Sequence, residues 1–393
     1  MKNKKPTIQK GRNQALILAT IILTVNFWAW SLLGPLATKY STIFDLSPIK
    51  VSILISVPVI VGALGRILLG ALTDKLGGKK VFTAVCFLAS APVFLLAFAN
   101  SYNQLLVFGF LLGLGGAIFS VGIPFVNAWF PPEKRGFALG VYGIGNLGVA
   151  ISGFLSPRLA NNLGLKWPFF VVGIVLIMSG LVALVKLRDS AEWKPSNKSF
   201  FKSFIEALKL RTTQDLALIY ALSFGAFVAF GLYLPVLLKT VYSLSLTDAA
   251  SRAAGFVIVA TLARPVGGWL SDKIGGEKVV KFVLFSAAVI AGLLSFQQPL
   301  GPIVTAQYLG LAAILGIGNG AVFALVSKLS PPKLLGSVAG VVGAAGGLGG
   351  LLPPLIMGIS YQYTKSYSLA ISLFSIAAIL AFLYITSSKS QIK

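Results

Sequence analysis

The feature that most constrains this chain is a succession of long apolar stretches separated by short polar ones. A helix needs about 20 predominantly apolar residues to cross the hydrocarbon core of a bilayer, and twelve stretches meet this requirement. Charged residues make up 11% of the chain, against about 25% in ordinary soluble domains. We therefore predict an all-α membrane protein with twelve transmembrane helices, at residues 14–38, 48–72, 80–99, 103–128, 136–160, 167–186, 214–239, 249–271, 279–297, 302–327, 336–361 and 368–386.

The basic residues predict how these helices are oriented. The formal net charge is +23, but Lys and Arg lie in the gaps between apolar stretches rather than on one soluble face, so we expect no nucleic-acid binding. Most of them fall in alternate gaps, and such residues concentrate in cytoplasmic loops. We predict that both termini are cytoplasmic, with tails at 1–13 and 388–393 and a cytoplasmic linker at 187–213.

The linker separates two six-helix bundles, predicted at 14–186 and 214–387. Two interpretations of residues 199–210 remain open. One is an amphipathic helix at the membrane surface, with Phe201, Phe204 and Leu208 on one face. The other is a solvated linker.

Several function classes are excluded by the scarcity of reactive residues. The chain has one cysteine, Cys86, and no histidine. An intrachain disulfide, a cysteine metal cluster and a histidine metal site are therefore impossible. No nucleophile–base pair or metal-ligand cluster occurs either, so we predict no cofactor, no metal ion and no enzymatic activity.

The two halves of the chain repeat each other. GALGRILLGALTDKLGGKK, around Arg66, is matched by ATLARPVGGWLSDKIGGEK, around Arg264. Pro131-Pro132 is likewise matched by Pro331-Pro332. Internal duplication of six-helix units is typical of secondary transporters, whose substrate site lies between the repeats near the middle of the membrane.

Arg66 and Arg264 are the strongest candidates for a binding site. Each lies inside an apolar stretch, where an arginine costs roughly 2.5–3.5 kcal/mol on insertion scales. All ten acidic residues fall in loops or at helix ends, so we expect no buried carboxylate to neutralise these cations. A small anion from solution would do so, and the planar guanidinium forks suit bidentate bonds to a planar oxyanion.

A second motif lies at the end of each of these helices. G-x-x-x-D-K-x-G-G-K-K, from Gly70 through Asp74 to Gly77 and Gly78, resembles the loop motif of the major facilitator superfamily. The second copy contains Asp272 and Gly275. Glycine permits the tight turn, and we expect the aspartate to cap a neighbouring helix and latch one conformation.

The glycine-rich helices supply further candidates. GFALGVYGIGNLGVAISGFLSP and GSVAGVVGAAGGLGGLLPP contain small-xxx-small spacings that allow close helix packing, which is the expected role of most of these glycines. We also expect loosened backbone near Gly143 and Gly343 to face the anion. Asn146 and Asn319 are polar residues of these regions that can donate hydrogen bonds to it.

These segments carry a resemblance to one family. GLGGAIFSVGIPFVNAWFPPEKRGFALGVYGIGNLGVAISGFLSP and GIGNGAVFALV with GVVGAAGGLGGLLPP resemble the signatures of the nitrate/nitrite porter family of the major facilitator superfamily. The resemblance implies that Arg66 and Arg264 bind nitrate or nitrite and that aromatic residues, here Phe119 and Tyr220, sandwich it. The chain is compact and lacks the large central insertion and long tail of eukaryotic members, so we expect a prokaryotic plasma membrane. We also expect a monomer in the lipid bilayer.

The mechanism has several open alternatives. One-for-one exchange of nitrate for nitrite is electroneutral and needs no proton carrier, so exchange is the expected mechanism. Proton-coupled symport is a second possibility, and transport of another small oxyanion or a monocarboxylate such as formate is a third. A non-transporting anion sensor is the alternative from another functional class.

Overall fold

The computed structural model describes residues 11–46, 48–196 and 199–387. The predicted C-terminal tail and most of the predicted N-terminal tail lie outside these ranges. The described helices are α1 (Arg12–Trp30), α2 (Leu33–Phe44), α3 (Pro48–Leu76), α4 (Gly78–Leu96), α5 (Tyr102–Ala117), α6 (Phe119–Trp129), α7 (Arg135–Tyr142), α8 (Leu147–Asn162), α9 (Trp167–Lys186), α10 (Phe200–Lys209), α11 (Arg211–Tyr242), α12 (Leu246–Leu262), α13 (Arg264–Leu270), α14 (Gly276–Leu294), α15 (Pro302–Leu329), α16 (Leu335–Gly349), α17 (Leu352–Thr364) and α18 (Ser368–Thr386).

Each of the twelve predicted spans corresponds to one of these helices or to two consecutive ones, so the predicted all-α fold is confirmed. By length and composition alone, nine helical segments of the described chain are apolar enough to cross a membrane. The other three predicted spans are 249–271, 279–297 and 336–361. The first and last correspond to α12–α13 and α16–α17, and the middle one corresponds to α14, which carries Glu277, Lys278 and Lys281 in its first two turns.

Helix breaks occur where the sequence weakens the helical hydrogen-bond ladder. The helix α12 ends at Leu262 and α13 begins at Arg264, with Pro265 in its first turn. Proline has no N–H to donate and clashes with the preceding turn. Arg264 is therefore the first residue of a new helix, whereas Arg66 lies within the uninterrupted α3. A 3₁₀ turn, Gly143–Asn146, similarly joins α7 to α8.

Two pairs of helices join the halves at one end of the bundle. A Cβ atom at Gly70 of α3 would lie 2.2 Å from the carbonyl oxygen of Gly336 at the start of α16. A Cβ atom at Gly268 of α13 would lie 1.9 Å from the carbonyl oxygen of Gly136 in α7. Only glycine permits so close an approach of two backbones. We call the end of the bundle with these two contacts the latch end.

The linker contains the short helix α10, which packs against α16, α11 and α3. Ala207 is buried and faces this junction, whereas Phe201, Ile205 and Leu208 are exposed. The helix is therefore amphipathic, but its exposed face differs from the predicted one by one position. Phe204 is half-buried and packs on the core, whereas Ile205, one helical turn after Phe201, is exposed in its place.

Candidate functional site

Arg66 reaches from the first half of the chain into the second. Its side chain is 1% exposed. Nη1 donates a hydrogen bond to the carbonyl oxygen of Gly343 in α16 at 2.7 Å, and Nε donates to the carbonyl oxygen of Gly116 at 3.3 Å. Backbone carbonyls on two sides therefore fix this guanidinium, which still carries its full positive charge.

Arg264 occupies the corresponding position in the second half and reaches back toward the first. It is 2% exposed, and no described residue accepts a hydrogen bond from its Nε or Nη1. A Cβ atom at Gly143 would lie 2.3 Å from Nε. The absence of a side chain at Gly143 therefore leaves the space that Arg264 fills. Gly343 does the same for Arg66, at 3.1 Å from Cδ.

Two aromatic rings flank both guanidinium groups. The Cζ atom of Arg66 lies 5.5 Å from the ring centre of Phe119 and 5.3 Å from that of Phe224. The corresponding distances for Arg264 are 5.4 and 5.9 Å. These distances are within the range of cation–π attraction. The two cations, one from each half of the chain, thus share one pair of rings.

Further aromatic side chains hold these two rings in place. Tyr142 stacks on Phe119 with ring centres 5.7 Å apart, and Tyr220 stacks on Phe224 at 4.9 Å. Phe323 contacts both Phe119 and Tyr220 edge-on, at 5.0 and 4.8 Å. The structure therefore places the predicted Phe119 beside the arginines, and it shows Tyr220 stacked on Phe224, the second ring beside them. Sequence reasoning missed Phe224, although it lies one helical turn after Tyr220 on the same face.

The positive charge of the site has no resident counter-ion among the described residues, which include all ten acidic side chains. Ion pairs among these residues include Arg211–Asp215, Arg252–Asp248 and Lys281–Glu277. None of them includes Arg66 or Arg264. Two buried cations in one compartment repel each other, and burying each of them costs several kcal/mol.

Other polar groups in these helices differ in how they are satisfied. Asn146 donates from Nδ2 to the carbonyl oxygen of Gly143 at 2.7 Å and so braces the turn that receives Arg264. Asn319 is 1% exposed, and neither of its side-chain polar atoms has a hydrogen-bond partner among the described residues. The buried hydroxyl of Tyr220 has none there either. Buried polar atoms normally find partners, so these groups are suited to a ligand or to water.

The two aspartates of the repeated loop motif cap helices of the opposite half at the latch end. Gly336 and Ser337 of α16 donate their N–H groups to the carboxylate of Asp74, at 3.0 and 3.1 Å. Gly136 and Phe137 of α7 donate to the carboxylate of Asp272 in the same way, at 3.0 and 2.8 Å. A carboxylate at a helix N-terminus is favoured by the unsatisfied N–H groups and by the helix dipole.

The glycines of this motif have distinct local roles. Gly77 and Gly275 have φ values of +85° and +92°, which other residues rarely adopt. Gly78 instead leaves room for the ring of Phe125, which lies 2.4 Å from where a Cβ atom of Gly78 would be.

Asp272, the aspartate of the second copy, also has a shifted pKa. Burial raises the pKa of its carboxyl above the ordinary value, although the N–H groups that donate to it act in the opposite direction.

One further contact between the halves was not predicted. Ser327 donates a hydrogen bond from its hydroxyl to the side-chain oxygen of Asn127. Asn127 precedes Pro131 by four residues, and Ser327 precedes Pro331 by four. The two residues therefore occupy equivalent positions in the repeat, a symmetry that could have suggested their proximity.

Comparisons with known proteins agree with this architecture. Residues 19–354 match the Major Facilitator Superfamily. The chain is 42% identical to the probable nitrate/nitrite transporter NarK2 of Mycobacterium tuberculosis over 379 residues, which cover 95% of this chain and 96% of that protein. It is 36% identical to the nitrite extrusion protein of Bacillus subtilis over 371 residues, covering 94% and 93%.

A more distant relative and a solved structure extend the comparison. The chain is 31% identical to the probable nitrate/nitrite antiporter NarK1 of Thermus thermophilus, with 95% of this chain and 90% of that protein covered. The crystal structure of the human organic anion transporter MFSD10 has a TM-score of 0.79 at 16% identity and covers 96% of this chain and 100% of that one. At that identity, the likeness to the human protein shows the fold alone.

Proposed function

Since this chain belongs to the nitrate/nitrite porter family of the major facilitator superfamily, we propose that it transports nitrate and nitrite across the membrane by alternating access. It is a multi-pass membrane transporter rather than an enzyme. The anion binds between Arg66 and Arg264. Phe119 and Phe224 lie on either side of it, and Tyr220, Asn319 and the turn at Gly143 complete the site.

The observation that carries this proposal is the pair of buried cations without a carboxylate partner. Two nitrogen atoms of Arg264, Nε and Nη1, carry three N–H groups that no described residue accepts, and Arg66 has two of its five N–H groups engaged by carbonyls. The remaining donors suit a planar anion with several acceptor oxygens. Nitrate neutralises one positive charge and bridges two groups that otherwise repel each other.

We further propose that transport is an exchange of nitrate for nitrite. Uptake of a monovalent anion against an inside-negative potential costs about 2.3 kcal/mol per 100 mV, whereas one-for-one exchange moves no net charge. The chain has no histidine, and an arginine does not release its proton. The carboxylates of Asp74 and Asp272 are occupied as helix caps. Proton symport and formate transport remain the alternatives.

The contacts between the halves support alternating access. The excess of Lys and Arg at the latch end and the termini supports a cytoplasmic position for them. The glycine contacts of α3 with α16 and of α7 with α13, together with the two aspartate caps, close this side. Opening it requires both caps to separate, with bundles 14–186 and 214–387 moving as units about linker 187–213. The protein acts as a monomer in a prokaryotic plasma membrane.

Reconstituted vesicles test this function. Vesicles are loaded with nitrate, nitrite, formate or no anion, and uptake of labelled nitrate is measured with and without a pH gradient. Exchange predicts uptake only into vesicles that contain nitrate or nitrite, whatever the gradient. Uptake into empty vesicles driven by the gradient would establish symport instead. Strong nitrate uptake into vesicles that contain formate would show that the transporter also accepts monocarboxylates. Nitrate binding without any exchange would identify a non-transporting sensor.

A further inference from the structure

A shallow apolar groove lies between α11 and α18 on the outer face of the bundle. Its volume is about 340 Å³. Leu218 and Leu380 form its rims and are 46% and 60% exposed, while the small side chains of Ala377 and Ala381 form its floor. Helices that face lipid in this way present the groove to acyl chains rather than to water.

A cation lies at the mouth of this groove. Tyr384 lines the groove near the end of α18, and its hydroxyl accepts a hydrogen bond from Nη2 of Arg211 at 2.6 Å. Nη1 and Nε of Arg211 contact Gln214 and Asp215, at 3.4 and 3.5 Å. These contacts engage three of the five N–H groups of a guanidinium. The side chain of Arg211 is 53% exposed and that of Asp215 only 2%, so the accessible charge is positive.

The linker helix α10 lies directly beside this mouth. Gln214 donates from Nε2 to the carbonyl oxygen of Leu208 at 3.0 Å and so fixes the end of α10 to the first turn of α11. Leu208 and Ile205 are each 46% exposed, and Lys209 is exposed next to them. Apolar side chains flanked by basic ones are typical of a helix that lies in a membrane interface.

We propose that the groove binds one anionic phospholipid. An acyl chain fills the groove between α11 and α18, and the lipid phosphate contacts Arg211 and Lys209, while Ile205 and Leu208 enter the same leaflet. Two positive side chains at the mouth favour a headgroup with net negative charge over a zwitterionic one. The groove itself is apolar, so the transported anion does not compete for it.

Native mass spectrometry of the full chain in detergent tests this proposal, with phosphatidylglycerol, phosphatidylcholine or inorganic phosphate added. We expect one phosphatidylglycerol to remain bound, and neither phosphatidylcholine nor phosphate. The Lys209→Gln/Arg211→Gln variant should bind phosphatidylglycerol roughly tenfold more weakly, because it loses charged hydrogen bonds. Lys333→Gln, which removes an exposed cation elsewhere at the latch end, should bind it as the wild type does.

Two further variants keep the test informative if Arg211→Gln disturbs folding. Lys209→Gln alone changes an exposed side chain and should still weaken binding. Ala377→Trp fills the groove and should displace the acyl chain without altering any charge. Wild-type affinity in both variants, or equal binding of phosphatidylcholine and phosphatidylglycerol, would overturn the proposal. None of these measurements depends on nitrate transport.

Discussion

Replacing Gly143 by alanine tests whether the position of Arg264 determines anion affinity. The new methyl group would lie 2.3 Å from Nε of Arg264, whereas ordinary contacts begin at 3.4 Å. Close-packed interiors leave no spare room, so the guanidinium must retreat by about 1 Å. The backbone at Gly143 has a φ of −61°, which alanine adopts without strain.

The expected loss of affinity follows from the hydrogen bonds that this displacement misaligns. A hydrogen bond to a charged group contributes about 1.5–3 kcal/mol, and 1.4 kcal/mol corresponds to a factor of ten. Nitrate affinity should therefore fall roughly 10- to 150-fold in Gly143→Ala. Stability should fall by about 1–3 kcal/mol, because an added methyl group in a close-packed interior forces its neighbours to shift, so the variant should remain folded.

Calorimetric titration of nitrate into purified protein measures this change, with thermal unfolding recorded in parallel. Gly153→Ala is the matched control, because it lies in the same transmembrane segment and its Cβ atom would have no neighbour within 4 Å. It should bind nitrate as the wild type does. Unchanged nitrate affinity in Gly143→Ala, or an equal loss in Gly153→Ala, would show that the position of Arg264 does not determine anion affinity.

Three further substitutions test other parts of the site. Phe224→Ala and Phe256→Ala each empty a buried position and should cost about 3–5 kcal/mol of stability, but only Phe224→Ala should also weaken nitrate binding in the titration. Asp74→Asn removes the charged cap of α16 and should open the latch end, which would lengthen the distance between two spin labels placed across it. Asp45→Asn, at an exposed position, should leave this distance unchanged. Equal distances in the two variants would contradict the role of Asp74 as a latch. Tyr220→Phe removes a hydroxyl that has no partner, so stability should hold while nitrate affinity falls severalfold; unaltered affinity would exclude this hydroxyl from the site.

Much of the fold could be predicted from the sequence, because the bilayer imposes strict requirements on length and polarity. The twelve spans follow from apolar length, and the pairing of Arg66 with Arg264 follows from the internal repeat. The helix-capping position of Asp74 could also be predicted, since a carboxylate after a transmembrane helix and before a glycine turn needs N–H donors nearby.

The details of packing between helices could not be predicted in the same way. Periodicity shows which residues share a helix face but not which helix that face meets. The sequence therefore did not reveal that each arginine reaches a glycine of the other half, or that Phe224 rather than Tyr220 lies over both guanidinium groups. The exposed face of α10 was misassigned at Phe204 for a related reason, because residues 201, 204, 205 and 208 all fit one broad stripe.

Two buried arginines without a carboxylate partner require the transported anion to neutralise them. Calorimetric titration of nitrate into the wild type and into Arg264→Gln, at fixed ionic strength, tests this requirement. We expect one nitrate bound per wild-type chain and none detected in Arg264→Gln, whose glutamine removes the charge while retaining polar atoms. Nitrate binding of equal affinity in the two proteins would contradict it.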